Sequence, residues 1–148
     1  MRARASAGLA VLKEQKNVDP RHIAVIGYCF GGTVALELAR DGADVAGTVS
    51  FHGGLATPTP QDARNIKGKV LALQGADDPY VKSAEVAAFE DEMRKGGVDW
   101  QLNVYGKAVH GFTNPDNGSD NSKGVAYNKE ADRRSWEAMK AFLAEVIN

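Results

Sequence analysis

The chain has one cysteine and three histidines, and neither sign of charge is in surplus. Each scarcity excludes something. A lone cysteine, Cys29, cannot form an internal disulfide and suits a reducing cytosol. A redox pair needs a second thiol three residues on, where Gly32 stands. A cysteine-phosphatase loop needs an arginine where Ala35 stands, and a Walker loop needs a lysine that GGTV lacks. No Cys and His cluster has zinc spacing, so no metal or other cofactor is expected. Lys and Arg total 18 against 19 for Asp and Glu, a net charge of -1. That balance leaves no footprint for nucleic acid or an anionic membrane. No apolar run is long enough to span a bilayer. The opening MRARASAGLAVLKEQK has arginines and a short apolar patch, but Lys13 and Glu14 interrupt it, so a helix is expected there and not a signal peptide. No repeat, linker or low-complexity tract occurs. With 43% hydrophobic and 25% charged residues over 148 positions, a single ordered domain over 1–148 is expected.

What is present alternates between two periodicities. Ala5, Leu9 and Leu12 are spaced as one face of a helix that stops before Asn17-Val18-Asp19-Pro20. IAVIGY (23–28) is almost wholly apolar and β-branched, as a strand buried on both faces should be. Val34, Ala35, Leu38 and Ala39 give a helix over 32–40, with Gly42 as a stop. VAGTVSFH (45–52) and KVLALQG (69–75) are further strands, separated by a proline-bearing loop and a weakly periodic segment, 61–67. Ser83 is placed to cap a helix with Val86, Phe89 and Met93 on one face, ended by Gly96-Gly97. WQLNVY (100–105) alternates as a strand with one face less buried. Trp136, Met139, Leu143 and Val146 mark a closing helix after a polar loop, 113–125. Strands separated by helices or long crossovers predict an α/β three-layer sandwich around a parallel sheet of about four strands, consecutive strands side by side.

Ligands of such sheets bind beyond the carboxyl ends of the strands. Cys29 follows the first strand, His52 ends the second, Asp77 and Asp78 follow the third and His110 follows the fourth. His22 precedes its strand and lies at the wrong end. Taken singly, Cys29 is equally a small filler in a glycine-rich turn or a nucleophile. Asp78-Pro79 is a turn signal and His110 an ordinary loop histidine. In combination they run nucleophile, acid, histidine, the chain order of α/β-hydrolase triads. GYCFG has the glycine spacing of the G-x-S-x-G elbow with cysteine in the serine position. The helix after it turns free N–H groups toward the sulfur and favours thiolate. Cys29 is thus the expected nucleophile and His110 the base. Asp78 is the expected orienter, ahead of Asp77, and the Phe30 N–H an oxyanion donor. Tyr28 and His52 are expected to line the pocket.

With IAVIGYCFGG, QGADDPYV and VHGFTNP in place, and YNKEADRRSWEAMKAFL closing the chain, the sequence resembles the dienelactone hydrolase family over its whole length. The resemblance implies the C-terminal part of an α/β-hydrolase fold. It also implies cytosolic, metal-independent hydrolysis of a lactone or ester through an acyl-cysteine. Family members have an additional N-terminal half that supplies a second oxyanion donor, a glutamate near the cysteine and part of the pocket. No position here matches these, so an N-terminally truncated domain is expected. The 23–28 strand would then offer an unpaired edge to a second copy or a partner chain. Two functions remain open: an ester or lactone hydrolase, and a catalytically silent fragment that acts as an assembly module through that edge.

Overall fold

The computed structural model describes residues 1–147. Four parallel strands lie side by side in chain order: β1 (Ala24–Tyr28), β2 (Gly47–Phe51), β3 (Lys69–Gly75) and β4 (Trp100–Tyr105). Helices α1 (Arg2–Lys13), α2 (Phe30–Arg40), α3 (Ser83–Gly96) and α4 (Lys129–Val146) complete the sandwich. The sheet, its order and its helical layers are those the sequence predicts. The weakly periodic segment is a 3-10 turn, Pro60–Asn65. Two more 3-10 turns, Pro115–Asn117 and Asn121–Lys123, shape the polar loop.

Each face of the sheet has its own apolar layer. On one, Leu36, Val70, Ala72, Phe89 and Met93 pack together, so α2 and α3 share this face. On the other, Val49, Phe51, Leu71 and Leu73 meet Met139 and Phe142 of α4. Burying side chains of this size contributes roughly 2 kcal/mol each. The periodicity of α3 and α4 therefore encodes the layers directly.

Strand β1 departs from expectation. Its alternation sets Ala24, Ile26 and Tyr28 on the α4 face, in register with Gly47, Val49 and Phe51. Helix α4 packs mainly over β2 and β3, and Ile26 is 43% and Tyr28 42% exposed. The strand is buried on one face only, and it forms one edge of the sheet. Ser83 is not a cap either. It is the first residue of α3, Lys82 occupies the capping position without a side-chain bond, and Gly97 closes the helix at φ 69°. Helix α1 buries no residue and is held by ion pairs, Arg2 Nε to Glu37 at 2.8 Å and Arg2 Nη1 to Asp62 at 2.6 Å.

A buried ion pair that the sequence pattern gave no sign of crosses the first layer. Arg40 is fully buried and donates from Nε and Nη2 to both oxygens of Glu92, each at 2.8 Å. It also donates to the Leu55 carbonyl at 2.8 Å and to Glu37 at 2.9 Å. The C-terminal end of α2 is thereby tied to α3 and to the segment after β2.

Candidate active site

Cys29 stands between β1 and α2 with φ 54°, ψ -122°, a backbone conformation that L residues rarely adopt. Glycines make it possible. A Cβ on Gly27 would fall inside the Gly31 carbonyl, and one on Gly32 would stand 2.5 Å from Ser50 Oγ. Gly31, by contrast, faces open space. The helix begins at Phe30, two residues earlier than its apolar spacing indicates, so Cys29 itself is the helix N-cap. Its thiol is exposed.

His110 lies on the loop after β4, where a parallel bridge to Val125 holds it. Its Nε2 is 3.1 Å from Cys29 Sγ and its Nδ1 is 2.9 Å from Asp78 Oδ2. Asp78 is buried, and its other oxygen accepts the Tyr80 N–H at 2.8 Å. Asp77 is exposed, and it is Asp78 that bonds to His110. Hydrogen bonding to Asp78 pushes His110 up to about 9, with a further contribution from Cys29. Hydrogen bonding to His110 pulls the Cys29 thiol down, burial opposes that pull, and the Phe30 N–H adds to it. The two shifts run in the direction that favours a thiolate beside an imidazolium.

His52 follows β2 directly at φ 39° and is 3% exposed. Its Nδ1 accepts the Cys29 N–H at 3.2 Å, and its Nε2 is 2.9 Å from Thr113 Oγ1. Burial, then the neighbouring His110, lowers it to about 4, so it is neutral. Tyr28 stacks on Phe51 with ring centroids 4.3 Å apart. The two residues expected to line the pocket thus differ: Tyr28 is open to it, and His52 lies in its floor.

The pocket over Cys29 measures about 630 Å³, with Tyr28, Thr113, Val125, Asp132 and Trp136 among its walls. A cleft of about 700 Å³ lies at the opposite ends of the strands, beside Asp44, Lys67 and Asp99, with no nucleophile or imidazole in it. Of the two, only the former is lined by a thiol and imidazoles. Asp132 and Trp136, one turn apart on α4, were not identified from sequence as pocket residues, because their spacing only marks a helix face. Thr113 and Tyr80 were missed as well. Each lies within three residues of a singled-out side chain, which was the available signal. Tyr80 sets its ring against His110 with centroids 5.2 Å apart. His22 is exposed, pairs with Asp19 at 3.2 Å and is remote from this rim. No group of side chains among the described residues is arranged to hold a metal ion.

The profile of the dienelactone hydrolase family matches residues 1–147. The chain belongs to that family. It is similar to an uncharacterized protein of Caenorhabditis elegans, 33% identical over 99% of this chain and 94% of the relative. A putative carboxymethylenebutenolidase of Saccharolobus solfataricus is 34% identical over 85% of this chain and 45% of its own length. Among solved structures, a dienelactone hydrolase-like promiscuous phosphotriesterase from metagenomic libraries superposes with a TM-score of 0.92 at 46% identity. That match covers 99% of this chain and 62% of the other. Apart from the nematode protein, the chain spans about half the length of these curated relatives. Among the described residues no helix is long and apolar enough to cross a membrane.

Proposed function

We propose that this protein hydrolyses a carboxylic ester or lactone through an acyl-cysteine intermediate. The observation that carries this reading is the continuous relay from Asp78 to His110 to Cys29, 2.9 Å and 3.1 Å long, opening on a pocket. Membership of the family supports the reaction class.

In the first half-reaction the Cys29 thiolate forms a bond to the carbonyl carbon. The oxyanion accepts the Phe30 N–H, which already points at the sulfur. Collapse breaks the carbon–oxygen bond, and the departing alkoxide takes the proton of His110 Nε2. Neutral His110 then removes a proton from water, the hydroxide attacks the thioester, and the tetrahedral adduct expels the thiolate and releases the acid. Asp78 holds the His110 tautomer and stabilises the imidazolium through both steps. A reducing, cytoplasmic setting would keep the thiol free. Because one relative is described as a promiscuous phosphotriesterase, phosphotriesters are a second electrophile to offer the same thiolate.

The uncovered face and edge of β1, with Ile26 and Tyr28 both more than two-fifths exposed, favour a second reading: a catalytically silent unit that associates through this strand with another copy or a partner chain.

A burst assay with p-nitrophenyl acetate, with intact-mass detection, separates the two. An acetyl group on Cys29 that forms in the parent, fails to form in Cys29→Ala and slows at least a hundredfold in His110→Ala supports the hydrolase. No adduct, or one indifferent to His110, together with a dimer in light scattering, supports the assembly module.

A further inference from the structure

The His52 imidazole sits between the two loops that carry Cys29 and His110, and the mechanism above does not use it. Its two ring nitrogens have different partners. The Cys29 N–H donates to the Phe51 carbonyl at 2.9 Å and is shared with Nδ1 at 3.2 Å, so Nδ1 faces a donor and is bare. The ring proton is then on Nε2, where it donates to Thr113 Oγ1 at 2.9 Å. Thr113 is three residues beyond His110 on the same loop. One neutral ring therefore ties the backbone of the elbow to the loop of the base.

Four more contacts fix its place. The His52 N–H donates to the Leu73 carbonyl at 2.8 Å. Gln74 Nε2 holds the next residue by donating to the Gly53 carbonyl at 2.6 Å. The His52 ring meets those of His110 and Phe112 edge-on, each with centroids 5.2 Å away. With Tyr80 also against it, His110 is flanked by two rings. Of the three non-glycine residues with positive φ among the described residues, Cys29 and His52 are in contact here. Such conformations persist where the surroundings over-determine them.

We propose that His52, through Thr113, is a positioning residue for the acyl-transfer step, holding the Cys29 elbow and the His110 loop in register as a neutral Nε2–H tautomer. The inference rests on the reading of Cys29 as nucleophile. Protonation of His52 would set an N–H at Nδ1 against the Cys29 N–H and a second positive ring beside His110. The other titratable groups around it are Asp78, which is engaged with His110, and Tyr28, whose ring centroid is 6.0 Å away. Acid would thus dismantle the site by a route distinct from titration of the thiol.

The test uses Thr113→Val, which keeps the shape and deletes the acceptor, Thr113→Ser, which restores it, and His52→Asn. In p-nitrophenyl acetate turnover, Thr113→Val is expected to lower kcat about tenfold to a hundredfold with KM unchanged, and Thr113→Ser to recover most of it. A raised KM with kcat intact would make His52 and Thr113 substrate contacts and overturn the proposal. So would an unchanged kcat. Two readouts do not need turnover. Nitrogen NMR of the parent should find His52 as the Nε2–H tautomer at pH 7, and the opposite tautomer or a charged ring would overturn the proposal even if the variants fail to fold. The rate of Cys29 alkylation by iodoacetamide should fall more steeply with acid in the parent than in His52→Asn, and equal slopes would count against it. If no ester is turned over yet tautomer and alkylation behave as stated, the hydrolase reading fails and the positioning of Cys29 by His52 stands.

Discussion

His110 and Asp78 are joined by one hydrogen bond, Nδ1 to Oδ2 at 2.9 Å, and it is the largest influence on the charge of the imidazole. Replacing Asp78 by Asn keeps the volume and removes the negative partner. His110 should then titrate well below 9, toward its ordinary value near 6.5. The alkaline limb of Cys29 alkylation should move down with it, and acylation should slow by about a thousandfold or more. A limb that stays near pH 9 in Asp78→Asn would show that Asp78 does not set it.

The two histidines give opposite pH arms to stability. His110 is raised to about 9, so its contribution is full below its unfolded value of 6.5 and is lost as pH rises from 6.5 through 9. His52 is lowered to about 4, so the unfolded chain takes up the proton first and stability falls as pH drops from 6.5 to 4. For the buried His52 that loss amounts to about 3 kcal/mol. Thermal melts across pH should peak near 6.5. The alkaline arm should flatten in Asp78→Asn and the acid arm in His52→Asn.

The elbow glycines should separate cleanly. Gly27→Ala drives a methyl into the Gly31 carbonyl, a backbone atom that cannot rotate away. A loss of about 3 kcal/mol and of Cys29 reactivity is expected. Gly31→Ala meets nothing within 4 Å on a helical backbone and should gain up to about 1 kcal/mol. Denaturant midpoints of both variants decide the matter, and equal losses would mean the elbow is not the tight point.

Glu92→Gln leaves the Arg40 guanidinium fully buried with only Glu37 as a charged partner. About 3 kcal/mol of stability should go, because the uncompensated charge remains in the core. The double change Arg40→Met with Glu92→Leu removes both charges and should cost less than Glu92→Gln alone. A double variant worse than the single one would show that the pair stabilises beyond its own desolvation.

Much of this protein was legible in its residues. The strands over 69–75 and 100–105 were readable to the residue, because apolar runs bounded by turn residues have few alternatives. The order Cys29, Asp78, His110 after the first, third and fourth strands placed the three side chains on one rim. Periodicity states which face of an element is apolar, but not which neighbour covers it. The open face of β1 was therefore hidden: Ile26 and Tyr28 look like core, and only the tertiary structure, with α4 mainly over β2 and β3, shows them exposed. Arg40 looks like the polar end of a helix, and only the arrival of Glu92 from α3 makes it a buried ion pair. His52 looked like a rim residue until the loop with Thr113 folded back onto it. The sequence by itself determined the elbow, the sheet and the rim on which Cys29, Asp78 and His110 meet, since backbone sterics and local patterning suffice for those. The charge states, the tautomer of His52 and the uncovered strand were decided by the tertiary structure, because each depends on a partner distant in the chain.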